Sequence, residues 1–172
     1  MVAATGNAPY LFGKHLWEET RIPLFEQSVS IGGHKNSEEG DLKRVSFGTG
    51  YAKNSLLECF VENLEHFPVV LPVLHDDPPE KLTHLRLHNG TIWRWNRPLI
   101  GFDTQGEPHV RIEHRAISAG PSVIDTVANA ALFIGAVKSL VDTEKPPEQI
   151  IPFSKAKHNF YAAAHAGLKT NL

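Results

Sequence analysis

One short segment, residues 109–115, alternates charged and apolar side chains and so constrains the fold more than any other stretch of the chain. Side chains on a β-strand point to opposite faces with a period of two residues. As a strand, this segment has an ionic face made by His109, Arg111, Glu113 and Arg115. Its other face is mainly apolar and is made by Val110, Ile112 and His114. Burying charged groups without partners is unfavourable, so the ionic face is expected to contact either water or a polyanion with its metal.

The composition is that of one globular domain without a strong charge bias. The chain has 172 residues, of which 41% are hydrophobic, and this length predicts a single domain over residues 1–172. The 17 lysines and arginines nearly balance the 19 acidic residues, which gives a formal net charge of -2. A general attraction to nucleic acid or to anionic membrane is therefore not expected, and any anion site must be local.

Cysteine content and the apolar segments predict a soluble, cytoplasmic protein. Cys59 is the single cysteine, which suits a reducing compartment, and its place on an apolar helical stripe favours a core position over a nucleophile. The N-terminal residues lack the features of a secretory signal. The most apolar run, Val127 to Val141, is interrupted by polar residues and is shorter than a bilayer span, so no membrane association is expected.

The middle of the chain predicts a three-stranded antiparallel meander. Leu82 to Leu87 alternates, Asn89-Gly90 is a typical hairpin turn, and Thr91 to Arg97 would be the return strand. A turn over residues 103–108 then leads into the ionic strand. With helices on either side of these strands along the chain, the predicted fold class is α+β, an antiparallel sheet packed against helices.

Helices are predicted from about Ser55 to His66, from Pro121 to Asp142 and from Lys155 to Leu168. The second is apolar on nearly every side, which predicts a buried central helix. A partly helical stretch is expected over Leu16 to Phe25 until Pro23 interferes, and glycines and charges predict a mobile loop over residues 31–41.

The ionic strand and its neighbour contain residues suited to phosphoryl chemistry. Arginine binds phosphate oxygens bidentately, and a carboxylate can hold Mg2+ against the same phosphates. Trp93, Trp95 and Arg97 would share one side of the return strand, so Arg97 could reach the same site as Glu113 while the indoles stack on a base or close the pocket. Two alternatives remain: a solvated sheet face with cross-strand ion pairs, and a single-strand nucleic-acid binder that uses the tryptophans and Arg94, against which the net charge argues.

Several ordered segments resemble the glutamate-cysteine ligase family, in particular the bacterial carboxylate-amine ligase branch. The most specific are residues 88–98, which contain Arg97-Pro98, the Glu113-x-Arg115 element, and residues 119–130, which contain Gly120-Pro121. Weaker similarity covers Asn7-Ala-Pro9, Phe12-Gly13, Arg21 to Phe25 and residues 159–168. The resemblance is to the later catalytic half of the family's domain and spans nearly the whole chain.

The resemblance implies a curved antiparallel sheet and an ATP- and Mg2+-dependent reaction. Through a γ-glutamyl phosphate, glutamate would be coupled to an amine such as cysteine, as in glutathione biosynthesis. Glu113 would be a metal ligand, and Arg115 would contact the transferred phosphate. Arg97 would bind phosphate or a substrate carboxylate, so Arg97 and Arg115 would be the catalytic residues. Trp93 and Arg111 are expected to bind the cofactor from their places on the strand faces, although the resemblance gives Arg111 no specific role.

Family members are about twice as long, and their first half supplies further metal-binding carboxylates. The resemblance therefore implies a partial domain that needs an N-terminal half from elsewhere, or a non-catalytic nucleotide- or anion-binding module derived from the fold. An incomplete sheet would leave an unpaired edge, which predicts a homo-oligomer or a partner chain that completes the sheet.

Overall fold

The computed structural model describes residues 1–29 and 43–171, and it confirms the α+β class by combining helices with small sheets. The helices in these residues are α1 (Val2–Thr5), α2 (Arg21–Ser28), α3 (Leu57–His66), α4 (Thr83–Gly90), α5 (Val123–Val141), α6 (Pro147–Ile150) and α7 (Phe153–Ala166). The strands are β1 (Tyr10–Leu11), β2 (Lys14–His15), β3 (Val45–Ser46), β4 (Trp93–Arg94), β5 (Asn96–Phe102) and β6 (Pro108–His114). Short 3-10 helices cover Pro79–Lys81 and Gly167–Lys169.

The chain divides into two compact units. Unit 1 comprises Met1–Leu24 and Ala116–Leu172, and unit 2 comprises Phe25–Arg115. The expectation of one domain stays a prediction, and the expected mobile loop over residues 31–41 lies outside the described residues.

In unit 2, the predicted strand over residues 82–87 is wrong, because residues 83–90 form helix α4. Leu82, Leu85 and Asn89 are spaced by three and four residues, so the same sequence also fits one face of a helix. Asn89 is buried on α4, where its Nδ2 donates to Pro98 O at 3.0 Å and its Oδ1 accepts from Asn63 Nδ2 at 3.1 Å. The predicted hairpin turn at residues 89–90 is therefore the end of a helix.

The strand after α4 also differs from the predicted meander. Its first two residues, β4, pair in parallel with β3, and the chain then continues as β5. Strands β5 and β6 form an antiparallel hairpin in which Arg97 lies opposite Glu113 and Leu99 lies opposite Arg111. The predicted turn is confirmed, since Asp103 Oδ1 accepts from the backbone N–H groups of Gln105 and Glu107.

The core of unit 2 combines apolar side chains with three buried arginines. The buried apolar residues are Val45, Phe60, Phe67, Ile92 and Trp95, and the arginines are Arg44, Arg94 and Arg97. Arg44 Nη1 donates to Thr91 Oγ1 at 2.8 Å, and Nη2 donates to Pro68 O. Burial lowers the pKa of Arg44, and the hydrogen bonds offset part of the loss of hydration.

Unit 1 contains the α1 region, the β1–β2 hairpin and the C-terminal helices. The predicted final helix is confirmed as α7, whose Phe160, Ala163 and Ala164 are buried. It ends at Gly167, which has a positive φ of 54° that favours glycine. The fully buried Glu19 carboxylate accepts from Ser118 Oγ at 2.5 Å, and its other oxygen lies 3.4 Å from Arg21 Nε.

Helix α5 confirms the helix predicted from Pro121 to Asp142 and contradicts its predicted burial. Its N-terminus is a capping box: Asp125 N–H donates to Ser122 Oγ, and Ser122 N–H donates to the Asp125 carboxylate. The expected burial is wrong, since none of its residues is buried. An apolar composition predicts that a helix is buried, but the packing of neighbouring elements decides whether it is. With 19 residues, α5 is also long and apolar enough to cross a membrane, by length and composition only.

Candidate functional site

Arg97 is the most constrained of the predicted site residues. It lies near the start of β5 and is 8% exposed. Its Nε donates to Glu113 Oε2 at 2.6 Å across the hairpin, and its Nη1 donates to the carbonyl oxygens of Asn89 and Ile92 at 3.0 and 2.7 Å. The guanidinium group therefore connects the ionic strand to the end of α4.

Glu113 lies between two arginines at the end of β6. Its Oε2 accepts from Arg97 and lies 3.9 Å from Arg115 Nη1. The Glu113 and Arg115 side chains are each about one third exposed, so a ligand could reach them. The Arg115 guanidinium also lies over the Phe25 ring, 5.7 Å from its centroid. The structure thus brings Arg97, Glu113 and Arg115 together, as the sequence predicted.

The two tryptophans do not form an open surface on which a base could stack, which was one of the two roles expected of them. Both contact the Phe25 ring edge-on, with centroid distances of 5.9 Å for Trp93 and 6.1 Å for Trp95. Trp95 is buried, and its Nε1 donates to Glu26 Oε1 at 2.8 Å. Trp93 is half-buried on β4, a different strand from that of Arg97, so strand alternation does not relate the two.

Arg94 occupies a closed environment that removes it from any nucleic-acid surface. It is 8% exposed, with Nη2 donating to Glu62 Oε2 and Nη1 donating to Ser46 Oγ. Cys59 is half-buried beside the same pair, and burial raises the pKa of its thiol. A raised pKa lowers the thiolate fraction, which agrees with the predicted structural role of Cys59.

A basic cavity lies beside the tight ion pair, because Leu99 and Arg111 follow Arg97 and Glu113 on the same face of the hairpin. It has a volume of about 220 Å³ and is lined by Phe60, Arg86, Asn89, Leu99, Ile100 and Arg111. Arg86 comes from α4, and its guanidinium lies 5.3 Å from the Phe102 ring centroid, while Lys81 Nζ lies 5.2 Å from that centroid. The cavity therefore combines two arginines with a nearby lysine.

Gly101 allows the side chains of His109 and Arg111 to lie close against β5. A Cβ atom at this position would lie 2.6 Å from His109 Nε2 and 3.0 Å from Arg111 Nη1. These two side chains lie next to each other on β6, with Arg111 Nη1 3.4 Å from His109 Nε2. A side chain at residue 101 would therefore push both groups away from their positions over the strand.

A second cavity in unit 2 is larger but chemically different. It measures about 490 Å³ and is lined by Val69 to Leu74 together with His84, Leu87, His88 and Thr91. Its walls contain no arginine or lysine. A phosphate group requires hydrogen-bond donors and positive charge, so the smaller basic cavity is the better candidate for a polyanion.

Arg86 is the residue that sequence reasoning missed. In the predicted strand it shared a side with His84 and His88 and was assigned no role. In helix α4 it lines the same cavity as Arg111. The spacing of Leu82, Leu85 and Asn89 was the available signal, since it places a helix rather than a strand at this point.

The described residues fit Mg2+ only as a companion of a nucleotide. Across residues 1–29 and 43–171, no group of three His, Cys, Asp or Glu side chains lies close enough together to hold a metal. Glu113 offers one carboxylate, and Arg97 already donates to its Oε2. Protein-bound Mg2+ commonly uses one or two carboxylates plus substrate phosphates, so Glu113 suits a metal that arrives with ATP.

Comparisons of the chain with protein-family models, with characterised proteins and with solved structures found no match.

Proposed function

We propose that this chain carries part of the nucleotide-binding surface of an ATP- and Mg2+-dependent carboxylate-amine ligase of glutamate-cysteine ligase type. The observation that supports this most directly is the position of Glu113, one third exposed between Arg97 and Arg115. The same residues form the Arg-Pro and Glu-x-Arg elements on which the family resemblance depends. A carboxylate flanked by guanidinium groups suits the binding of a phosphate together with its metal.

The basic cavity extends this surface along β6. ATP phosphates carry several negative charges, and Arg86, Arg111 and Lys81 supply positive charge close to the hairpin. In the proposed arrangement, Arg115 contacts the transferred phosphate and Arg111 contacts the remaining phosphates. Charge neutralisation and positioning are the main requirements of phosphoryl transfer, and arginine serves both.

Arg97 has a positioning role in this proposal. Because Arg97 bonds two backbone carbonyls of residues 89 and 92, it is held firmly and fixes Glu113 through one oxygen. The Glu113 carboxylate would then hold Mg2+, which would neutralise charge on the phosphates. The proposed reaction also requires glutamate, which supplies the acyl group, and an amine such as cysteine, which accepts it. Both would bind beside Arg115.

Calorimetric titration with ATP, in the presence and absence of Mg2+, tests the assignment. We expect Glu113→Gln to abolish the Mg2+ enhancement of ATP binding, because the variant loses the carboxylate charge. Arg115→Ala is expected to weaken ATP binding by about 10-fold or more with Mg2+ present, the effect of one lost charge-assisted hydrogen bond. Mg2+ alone should give no binding heat.

Matched controls are available on the same hairpin and nearby. Glu107→Gln changes an exposed carboxylate beyond the site, and Lys53→Ala removes an exposed positive charge from the loop before α3. Both variants should bind ATP as the unaltered protein does. Unchanged ATP binding in Glu113→Gln and Arg115→Ala would show that the nucleotide is bound elsewhere or not at all.

A second candidate function is nucleotide or anion binding without turnover. One observation favours it: in the part of the chain that the structure describes, no group of three His, Cys, Asp or Glu side chains could hold a metal ion. Phosphate release from ATP in the presence of glutamate and cysteine separates the two functions. ATP binding without glutamate-dependent phosphate release would identify the binding module.

A further inference from the structure

Helix α5 exposes an apolar seam that has the spacing of a coiled coil. Successive residues of this seam are separated by four, three, four, three and four positions: Val123, Val127, Ala130, Ile134, Val137 and Val141. This is the heptad pattern in which apolar residues repeat every 3.5 residues on average. In heptad letters, Val127, Ile134 and Val141 occupy position a, so every a residue is β-branched.

The seam faces away from the rest of unit 1. The most covered residues of α5 are Asn129, Phe133 and Ala136, which share one helical face, and Val137 is the most covered of the large seam residues at 42% exposed. At 3.6 residues per turn, the seam lies roughly a third of a turn from that face. Val123 is 81% exposed, Ile134 is 64% exposed and Val141 is 76% exposed. Such a contiguous apolar surface marks an interaction site.

We propose that this seam pairs with the same seam of a second copy of the chain, so that the protein forms a homodimer through α5. A heptad repeat is complementary to another helix with the same repeat, because each a or d side chain fits between four residues of the facing helix. β-Branched residues at position a favour two-stranded assemblies when leucine occupies position d, and here Val123, Ala130 and Val137 occupy d. The helix has its own N-terminal capping box, so it presents the seam in a fixed conformation.

The composition of α5 favours a partner helix over a lipid bilayer. Asn129 lies in the middle of the helix and Lys138 lies in its last turn. Nineteen residues span about 28 Å, slightly less than the hydrocarbon core of a bilayer, so both polar groups would lie within or at the edge of the lipid. When the seam packs against another helix, neither polar side chain has to enter the contact. Asn129 lies on the covered face, and Lys138 flanks the seam.

The expected dimer is weak, because one helix pair of this length buries less than the about 1,600 Å² of a standard interface. Sedimentation velocity of the full chain between about 1 and 200 µM should show a concentration-dependent shift from monomer to dimer. Ile134→Glu, in the middle of the seam, should raise the dissociation constant at least about 30-fold, as for a central hot-spot residue. Leu132→Glu is the matched control, since it adds the same charge to an exposed position off the seam.

A gain-of-function variant keeps the test independent of folding defects. Ala130 occupies a d position, where leucine supports two-stranded packing, so Ala130→Leu should lower the dissociation constant by about 10-fold. Ala128→Leu adds the same volume off the seam and should have no effect. The proposal is overturned if both the unaltered chain and Ala130→Leu are monomeric at every concentration. It is also overturned if the chain stays monomeric and binds neutral phosphatidylcholine vesicles through α5.

Discussion

The β5–β6 hairpin of unit 2 and helix α5 of unit 1 distribute charge and apolar surface in opposite ways. At the hairpin, Arg97 is buried and its ion pair with Glu113 is largely covered. On α5, by contrast, Ile134 and Val141 are mostly exposed to solvent. One region therefore places charge inside, and the other places apolar side chains outside.

The difference shows that two kinds of interaction maintain these elements. Arg97 is tolerated inside because Glu113 and the carbonyls of residues 89 and 92 replace the water that it loses. Helix α5 gains little from burial and depends on local interactions, above all the reciprocal Ser122–Asp125 cap. The hairpin should accordingly be sensitive to loss of a hydrogen-bond partner, whereas α5 should be sensitive to its N-terminal geometry.

The largest expected effect comes from removing the buried charge of the hairpin. Arg97→Ala leaves Glu113 and two carbonyl groups without their donor, and breaking such a pair typically lowers the free energy of unfolding by about 3 to 5 kcal/mol. Urea unfolding followed by tryptophan fluorescence reports on this region, because Trp93 and Trp95 lie in the same unit.

Arg111→Ala provides the control for Arg97→Ala. Arg111 lies on the same hairpin and is exposed, so its removal should change the free energy of unfolding by no more than about 0.5 kcal/mol. Equal losses in the two variants would contradict the view that burial, rather than positive charge, makes Arg97 important.

A pair of glycine substitutions tests the account of α5. In Gly120→Ala, the new Cβ would lie 2.5 Å from Asp125 Cβ and 2.7 Å from the Thr126 backbone nitrogen, which cannot move without disturbing the cap. We expect a loss of about 1 to 3 kcal/mol. Gly135 has open space around it, so Gly135→Ala should raise stability by about 0.5 to 1 kcal/mol.

Urea unfolding followed by far-UV circular dichroism measures both glycine variants, with each serving as the control for the other. A destabilised Gly135→Ala protein would mean that the middle of α5 is more tightly packed than its exposure indicates. An unaffected Gly120→Ala protein would show that the capping box contributes little to the helix.

The parts of the fold that depend on local sequence were predictable. Ser122, Asp125 and Gly167 mark helix ends through contacts within a few residues, and Asp103 forms its turn in the same way. Helix α4 was missed because six residues of alternating character fit a strand and a helix equally well. The exposure of α5 depends on distant neighbours, which composition does not specify.

The candidate site was predictable in its residues but not in its architecture. Arg97, Glu113 and Arg115 do lie together, although Arg97 reaches Glu113 from β5 rather than from the predicted return strand. Arg86 was missed because its position depends on α4. An error in one secondary-structure element therefore removed one basic residue from the predicted site and left the central ion pair intact.

The smallest expected effect concerns His114, at the end of the same strand as Glu113. Burial lowers the pKa of His114 from its ordinary value of 6.5, so the folded protein stays neutral at this group while the unfolded chain takes up a proton. The unfolded state then binds more protons below pH 6.5. The free energy of unfolding should consequently reach its full value above this pH and should fall as the pH decreases toward the lowered pKa.

His114→Gln should reduce this pH dependence, because glutamine does not titrate in the window. His109→Gln removes an exposed histidine from the same strand and should leave the slope unchanged. Urea unfolding at several pH values between about 5 and 8 measures the slope for all three proteins. A slope that persists in His114→Gln would have to come from other groups.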